Sequence, residues 1–354
     1  MRPEHFIHPE FRLNGLAQSV HALQVIAYSY IKEGTAWEQQ IGNFLLDWLD
    51  DKDTVTLHTS GSTGTAKSYK FPKTMLIASA QATQIALETQ PGMRVLMKLP
   101  GQYIAGKMMI VRALQGGHHL TVDKPQVVWE FEGHYDHTSM TAQQLYVNAH
   151  QLDRFGSILV GGGAVQLERL GTLPSSTRII ETYGMTETVS HVALRELHPT
   201  QAKYFTPIDG VQVVESQEGT AQIFAPHLEI ESLQTTDAVT VNQNGTFQVL
   251  GRVDDVINTG GIKVSPTQVE RKLATAIDVP FVISARPHEV LGQEVVLVIE
   301  QASSAASSVL QLEALAQLCS KYERPRAIVT VPCLPLTRTG KLNRRALQEQ
   351  LAAG

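Results

Sequence analysis

Between residues 17 and 50 apolar side chains return every three to four positions, which predicts two amphipathic helices, the second with Trp37, Ile41, Phe44, Leu45 and Trp48 on its apolar face. A short strand pattern, Val55–His58, comes next, then a predicted helix over Lys73–Glu88, whose alanines and Ile77, Ile85 and Leu87 suit burial. Strand signals at Arg94–Leu99, His119–Val122, Ser157–Val160 and Arg178–Glu181 alternate with helical ones at Ile104–Gln115 and Val165–Leu170. That alternation predicts an α/β chain whose large N-terminal domain is layered around a mostly parallel sheet.

After Pro199 the period shortens. Val211–Val214, Thr220–Phe224, Leu228–Ser232 and Phe247–Leu250 read as short strands between turn residues, a β-rich subdomain over about 200–251. From Arg252 a smaller α+β unit is expected, with a helix at Pro266–Ala276, strands at Val279–Ala285 and Val295–Ile299, and a helix at Leu310–Tyr322. Gln301–Ser308, rich in Ser and Ala, reads as an exposed loop. The expected domains are therefore 1–251 and 252–354.

Composition narrows the function classes. The 354 residues are 43% hydrophobic and 18% charged with a net charge of −5, which favours neither a nucleic-acid partner nor an anionic membrane. No 18-residue apolar run occurs, and MRPEHFIHPE lacks the apolar core of a signal peptide, so no membrane insertion is expected. Cys319 and Cys333 are too few for a disulfide framework or a cysteine-built metal site, so a cytoplasmic setting is expected.

The richest chemistry lies at Thr59-Ser60-Gly61-Ser62-Thr63-Gly64-Thr65-Ala66-Lys67, directly after a strand. Backbone N–H groups and hydroxyls with little side-chain bulk can wrap polyphosphate oxygens, and Lys67 adds a positive charge. Gly61–Ser68 nearly fits the Walker pattern, but Ala66 stands where that loop needs its last glycine. Four further stretches bear on the choice. Tyr183-Gly184-Met185-Thr186-Glu187-Thr188 follows a strand, at the end of the sheet where α/β ligands bind. Gly161-Gly162-Gly163 also follows a strand and permits close approach of a flat ligand. Gly251-Arg252-Val253-Asp254-Asp255 leads to Gly260-Gly261-Ile262-Lys263, and Leu336-Thr337-Arg338-Thr339-Gly340-Lys341 places a lysine on a turn.

In this order the five stretches resemble the adenylate-forming superfamily of acyl-CoA ligases, luciferases and peptide-synthetase adenylation domains, from Thr59 to the C-terminus. A P-loop NTPase has no use for the last three. The resemblance implies a mobile C-terminal domain, and ATP, Mg²⁺ and coenzyme A together with a small carboxylic acid. Thr59 to Lys67 would hold the pyrophosphate end of ATP. Glu187 would bind Mg²⁺ and Thr186 the α-phosphate. Gly161 to Gly163 and Glu181 to Tyr183, with Gly184, would wall the adenine pocket. Asp237 would accept the ribose hydroxyls, Arg252 would add a ribose or phosphate contact, and Lys341 would bridge carboxylate and α-phosphate. Asp254 would be the hinge, and Gly260, Gly261 and Lys263 would border the pantetheine channel. Two departures stand out: Thr236 replaces the usual glycine before Asp237, and only 58 residues precede Thr59, so part of the usual N-terminal subdomain is expected to be absent.

For the acid, Tyr103 falls at the family's acyl gate, and Lys107, Arg112 and His191 are candidates for a second carboxylate. YIAGKMMIVRAL and YGMTETVSH, with the short N-terminus, resemble the compact o-succinylbenzoate–CoA ligases of menaquinone biosynthesis. Another aryl- or acyl-CoA ligase, a carrier-protein-loading enzyme, and a non-catalytic nucleotide-binding relative are the alternatives. The presence of Lys67, Glu187, Asp237, Arg252 and Lys341 together speaks against the last.

Overall fold

The computed structural model describes residues 7–58, 68–274, 276–277, 279–301, 315, 317–337 and 342–353. The chain divides into two compact units, Met1–Val165 with Thr172–Gln212 and Ile223–Leu233, and Gln166–Gly171 with Val213–Gln222 and Gln234–Gly354. The phosphate-loop residues Thr59, Ser60, Gly61, Ser62, Thr63, Gly64 and Lys67, and the C-terminal Lys341, lie outside the described residues.

In chain order the first part contains β1 (Arg12–Leu13), β2 (Leu16–Ala17), α1 (Val20–Glu33), α2 (Ala36–Leu49), β3 (Thr54–His58), β4 (Ser68–Pro72), α3 (Lys73–Leu87), β5 (Arg94–Met97), α4 (Ile104–Gly116), β6 (His119–Val122), β7 (Tyr135–Thr141), α5 (Ala142–Val147), β8 (Phe155–Gly161), β9 (Arg178–Gly184), β10 (His191–His198) and β11 (Thr206–Pro207). Nine of these strands form one sheet, ordered β11-β10-β9-β8-β7-β5-β6-β1-β2. From β9 to β1 every neighbouring pair is parallel, while β10, β11 and β2 add antiparallel edges. Parallel strands need crossovers, and α3 and α4 supply apolar faces for them, with Leu76, Ala80, Met108, Ile110, Val111 and Leu114 buried.

Local chemistry sets the helix starts. The Ser19 hydroxyl accepts from the Ala22 N–H at 3.1 Å, so α1 begins at Val20, three residues beyond the expected start, and Leu16–Ala17 goes to strand β2. The Glu38 carboxylate accepts from the Thr35 N–H at 2.8 Å and opens α2. Phe44, Leu45 and Trp48 of α2 are buried, as the periodicity requires. Strand β7 escapes the hydrophobic pattern because its central residues are polar: His137, Thr138 and Ser139 are buried, and the Thr138 hydroxyl donates to the Leu96 carbonyl at 2.8 Å. The Val165–Leu170 signal resolves to a single 3₁₀ turn at Leu167–Leu170.

Residues 212–252 form a four-stranded sheet in the order β12 (Gln212–Glu215), β13 (Thr220–Ala225), β14 (Ile230–Val241), β15 (Phe247–Arg252). Beyond it come β16 (Ile257–Thr259), β17 (Ile262–Val264), α6 (Pro266–Leu273), β18 (Phe281–His288), β19 (Gly292–Glu300), β20 (Ala327–Val331) and α7 (Arg344–Ala353). The run Val295–Ile299 is buried on both faces, which its unbroken hydrophobicity requires. Val295, Leu297 and Ile299 pack with Val269 and Leu273 of α6, whereas Val296 and Val298 pack with Leu347 of α7. Of the predicted helix at Leu310–Tyr322, Leu315 and Cys319 join the α6 side of this core, and residues 310–314 and 316 lie outside the described residues.

One ion pair fastens these layers. Arg344 on α7 donates to both Glu270 carboxylate oxygens at 2.9 and 2.8 Å, its Nη1 donates to the Ile283 carbonyl at 2.9 Å, and the Ile283 N–H donates back to Glu270 at 2.9 Å. The pair is half-buried and charge-assisted, so Arg344→Met is expected to lower stability by about 1.5–3 kcal/mol in urea unfolding. Arg344→Met with Glu270→Met should recover most of that loss. A single variant within about 0.5 kcal/mol of the parent protein, the scatter of ordinary surface changes, would show that the pair is idle.

Candidate active site

Strands β8 and β9 run in parallel register, Val160 beside Glu181, and their carboxyl ends carry the Gly161–Gly163 loop and the turn after Gly184. Such ends are where ligands of α/β sheets bind. The two segments are held there by different devices.

Glu181 is buried and fully engaged. One carboxylate oxygen accepts from the Val165 N–H at 3.1 Å, fixing the far end of the glycine loop, and the other takes two bonds from the Arg195 guanidinium, the Nε one at 2.8 Å. Arg195 in turn lies over the Phe205 ring at 4.8 Å, and Phe205 packs against Tyr183 at 5.9 Å between centroids. Gly162 and Gly163 stay exposed, Gly162 with φ +91°. The Thr182 hydroxyl donates to the Val160 carbonyl at 3.1 Å and lies 3.0 Å from where a Cβ on Gly161 would stand. Arg195 and Phe205 were invisible as site residues because both sit outside any motif. Their signal is spatial: β10 pairs antiparallel with β9 and brings Arg195 opposite Glu181.

The turn from Gly184 to His191 is wound tightly. A Cβ on Gly184 would stand 2.5 Å from the His191 Cα, so only glycine fits. Thr188, fully buried, accepts from the Met185 N–H at 3.0 Å and donates to the Ser190 carbonyl at 2.6 Å, and Val189 takes φ +64°. The turn leaves Thr186 and Glu187 half-buried on a 3₁₀ segment, and Glu187 has no ion-pair partner among the described residues. A lone carboxylate suits Mg²⁺ held with phosphate, which takes one or two carboxylates and leaves other positions to phosphate and water. No group of three His, Cys, Asp or Glu among the described residues could hold a metal by itself.

Beneath that turn lies a buried polar cluster. Arg112 on α4 donates from Nη2 to the Ser190 hydroxyl at 2.8 Å, and His191 contacts Ser190 and Thr83. No carboxylate pairs with Arg112 among the described residues, its Nε–H has no partner, and burial brings its pKa down to about 10. Arg112 also borders a small cavity shared with His118, His137, Thr89 and Met109. Lys107 does not join this cluster. Its ammonium lies 5.4 Å from the Phe44 ring centroid and 3.5 Å from the Thr56 carbonyl, and burial lowers its pKa. Tyr103 stands at the start of α4, half-buried.

In the second unit Asp237 and Arg252 are register partners across β14 and β15, with Arg252 Nε 3.9 Å from the Asp237 carboxylate. Arg252 also donates to Thr236 and reaches Asp254 at 3.4 Å, so Thr236, the departure from the family glycine, is a partner of the arginine. Gly251 takes φ +140°, and a Cβ there would stand 2.7 Å from the Ser265 hydroxyl. Gly260 and Gly261, at φ +60° and +80°, make the two-residue hairpin turn between β16 and β17, with Lys263 exposed beyond it.

No family model matches the chain. It is 27% identical over 340 residues to a probable 2-succinylbenzoate–CoA ligase of Mycobacterium tuberculosis, covering 86% of each. It is 31% identical to a solved acyl-CoA synthetase (AMP-forming)/AMP-acid ligase II-like protein from Dyadobacter fermentans, covering 93% of this chain and 98% of that one at a TM-score of 0.59. An o-succinylbenzoate–coenzyme A synthetase from Bacillus subtilis, solved with ATP and magnesium, shares the fold at 19% identity and a TM-score of 0.67, covering 82% of this chain and 69% of that one.

The buried histidines give the site a pH signature. Burial, reinforced by the Arg112 charge, holds His118 down to about 4, His137 down to about 3, and His191 well below the usual histidine range. All three are neutral when folded but take up protons near pH 6.5 when unfolded, so stability is present above pH 6.5 and is lost as pH falls toward the folded values. Each adds a slope of about 1.4 kcal/mol per pH unit in that window. Urea midpoints are therefore expected to drop steeply between pH 6.5 and 5, and His137→Asn should flatten the slope. A midpoint unchanged over that range would contradict the burial of neutral imidazoles.

Proposed function

We infer that this chain, which belongs to the AMP-forming acyl-CoA synthetases and AMP-acid ligases, joins a carboxylic acid to coenzyme A with cleavage of ATP to AMP and pyrophosphate, and that the acid is o-succinylbenzoate, a step of menaquinone biosynthesis. A free carboxylate resists a thiol because its oxygen is a poor leaving group. A carboxylate oxygen attacks the α-phosphorus, a P–O bond forms, and the bond to pyrophosphate breaks. The coenzyme A sulfur then attacks the acyl carbon, forming C–S and releasing AMP. No helix among the described residues is long and apolar enough to cross a membrane. The cytoplasm, which is reducing and supplies ATP and coenzyme A, suits this chemistry.

The roles follow from the resemblance, and the placement of the described residues supports them. Thr59 to Lys67 and the Gly161–Gly163 loop take the phosphates and the adenine, with Glu181 and Arg195 holding the loop in place. Tyr183 and Thr182 line the same strand end. Asp237 and Arg252, side by side, take the ribose. Thr186 faces the α-phosphate, and Glu187 would hold Mg²⁺, which when bound offsets the negative charge of the phosphates. Lys341 bridges the acyl carboxylate and the α-phosphate, a preorganised charge of the kind worth about 3–4 kcal/mol. Residues 252–354 act as the moving domain, hinged at Asp254, with Gly260, Gly261 and Lys263 bordering the coenzyme A channel.

The observation that carries the substrate assignment is Arg112, a buried guanidinium without a carboxylate partner among the described residues. Buried charges are paired. An acid with two carboxylates leaves one charged while the other is adenylated, and that spare anion is the missing counter-charge, with Ser190 and His191 beside it and Tyr103 gating the acyl side.

Pyrophosphate release measured over a panel of carboxylic acids, with and without coenzyme A, tests this directly. o-Succinylbenzoate should outrun mono-acid analogues lacking the ring carboxylate. Arg112→Ala should raise KM for o-succinylbenzoate at least about tenfold, near the low end of what a hydrogen bond to a charged group contributes, with a much smaller rise for the mono-acid. Equal losses for both acids would remove Arg112 from substrate selection, and a preference for mono-acids would overturn the assignment.

A further inference from the structure

The buried contacts under the Gly184–His191 turn form a chain in which one arrangement of protons gives every donor an acceptor. The Thr83 hydroxyl on α3 lies 2.9 Å from the Ser79 carbonyl, which can only accept, and in that arrangement its single proton goes there. His191 Nε2, 3.0 Å from the same oxygen, then donates to it and carries the ring proton; the other tautomer, with Thr83 donating to Nε2, leaves the Ser190 proton without an acceptor in this chain of contacts. His191 is neutral, so its Nδ1 is left as an acceptor. At the other end Arg112 Nη2 donates to the Ser190 oxygen at 2.8 Å, and a guanidinium never accepts. The Ser190 proton is thereby left to point at His191 Nδ1, 3.4 Å away. The sequence of donors runs from Arg112 to Ser190, to His191, to Thr83, to the Ser79 carbonyl, without a conflict.

We propose that Thr83 is a positioning residue for the substrate turn: it selects the Nε2–H tautomer of His191, which holds the Ser190 hydroxyl so that its oxygen faces Arg112. Thr83 acts through His191 and Ser190. Without the Thr83 oxygen, His191 gains nothing by keeping its proton on Nε2. Moving it to Nδ1 would turn it into a donor toward Ser190, releasing the Ser190 proton and leaving its oxygen shared between two donors. The guanidinium that selects the acid would lose its fixed aim. The kinetic part of this inference rests on the proposed ligase activity, whereas the tautomer part does not.

Long-range ¹H–¹⁵N NMR of the imidazoles, combined with amide hydrogen exchange over the turn and single-turnover adenylation of o-succinylbenzoate, tests it on the parent protein, Thr83→Val and Thr83→Ser. The parent should show His191 as Nε2–H. Thr83→Val, of similar shape but without an acceptor, should lose that tautomer, speed exchange in the turn and lower kcat/KM about fivefold, within the range of one hydrogen bond. Thr83→Ser should restore all three. An Nδ1–H tautomer in the parent, or an unchanged tautomer in Thr83→Val, would overturn the proposal whatever the enzyme's activity. A switched tautomer with unchanged kcat/KM and exchange would overturn the positioning role. Absence of adenylation in the parent protein would refute the ligase reading alone, leaving tautomer and exchange to decide the role of Thr83.

Discussion

A guanidinium taken out of water loses hydration that only an opposite charge or a full set of hydrogen bonds can replace. Arg112 has a hydrogen bond to Ser190, a buried Nε–H without a partner, and no carboxylate among the described residues. The surrounding structure is arranged to tolerate that charge. His118, His137 and His191 are held neutral near it, so no second cation competes. Helix α4 is buried along most of its length and fixes the arginine from behind. The Gly184–His191 turn is fixed from the front by Thr188, by the close approach at Gly184, and by Ser190. The same turn carries Thr186 and Glu187, so the constraint that fixes Arg112 also positions the groups proposed for the phosphate and the metal.

The nucleotide side depends on a separate ion pair. Glu181 stands within a motif, which suggests contact with a ligand, yet both of its oxygens are committed to the protein, one to the glycine loop and one to Arg195. In the adenine pocket proposed at this strand end, its contribution would therefore be to shape it. In the second unit, cross-strand register does similar work, placing Asp237 and Arg252 side by side.

Much of this was legible in the sequence because the relevant physics is local. Helical periodicity located α2, α3 and α4, and glycines at positive φ marked the turns at Gly251 and Gly260–Gly261. Motif order pointed to the chemistry and picked out Asp237 and Arg252, which the strands place side by side. What could not be read were contacts made by distant segments. Strand β7 is polar in its centre because its neighbours, not its own pattern, satisfy it. Lys107 and Arg112 share a helix and looked interchangeable, but one turns to Phe44 and Thr56 and the other to Ser190. Arg195 and Thr83 carry no motif at all, and only the pairing of β10 with β9 and the packing under the turn give them partners.

Oxygen-isotope transfer tests the central claim, that one carboxylate is adenylated while the other remains as the counter-charge of Arg112. With ¹⁸O placed only in the succinyl carboxylate of o-succinylbenzoate, turnover with ATP and coenzyme A should deliver one ¹⁸O atom to the AMP released. With the label placed only in the ring carboxylate, the AMP should carry none and the acyl-CoA product should keep it all. Label appearing in AMP from the ring carboxylate, or in phosphate in place of AMP, would contradict the account.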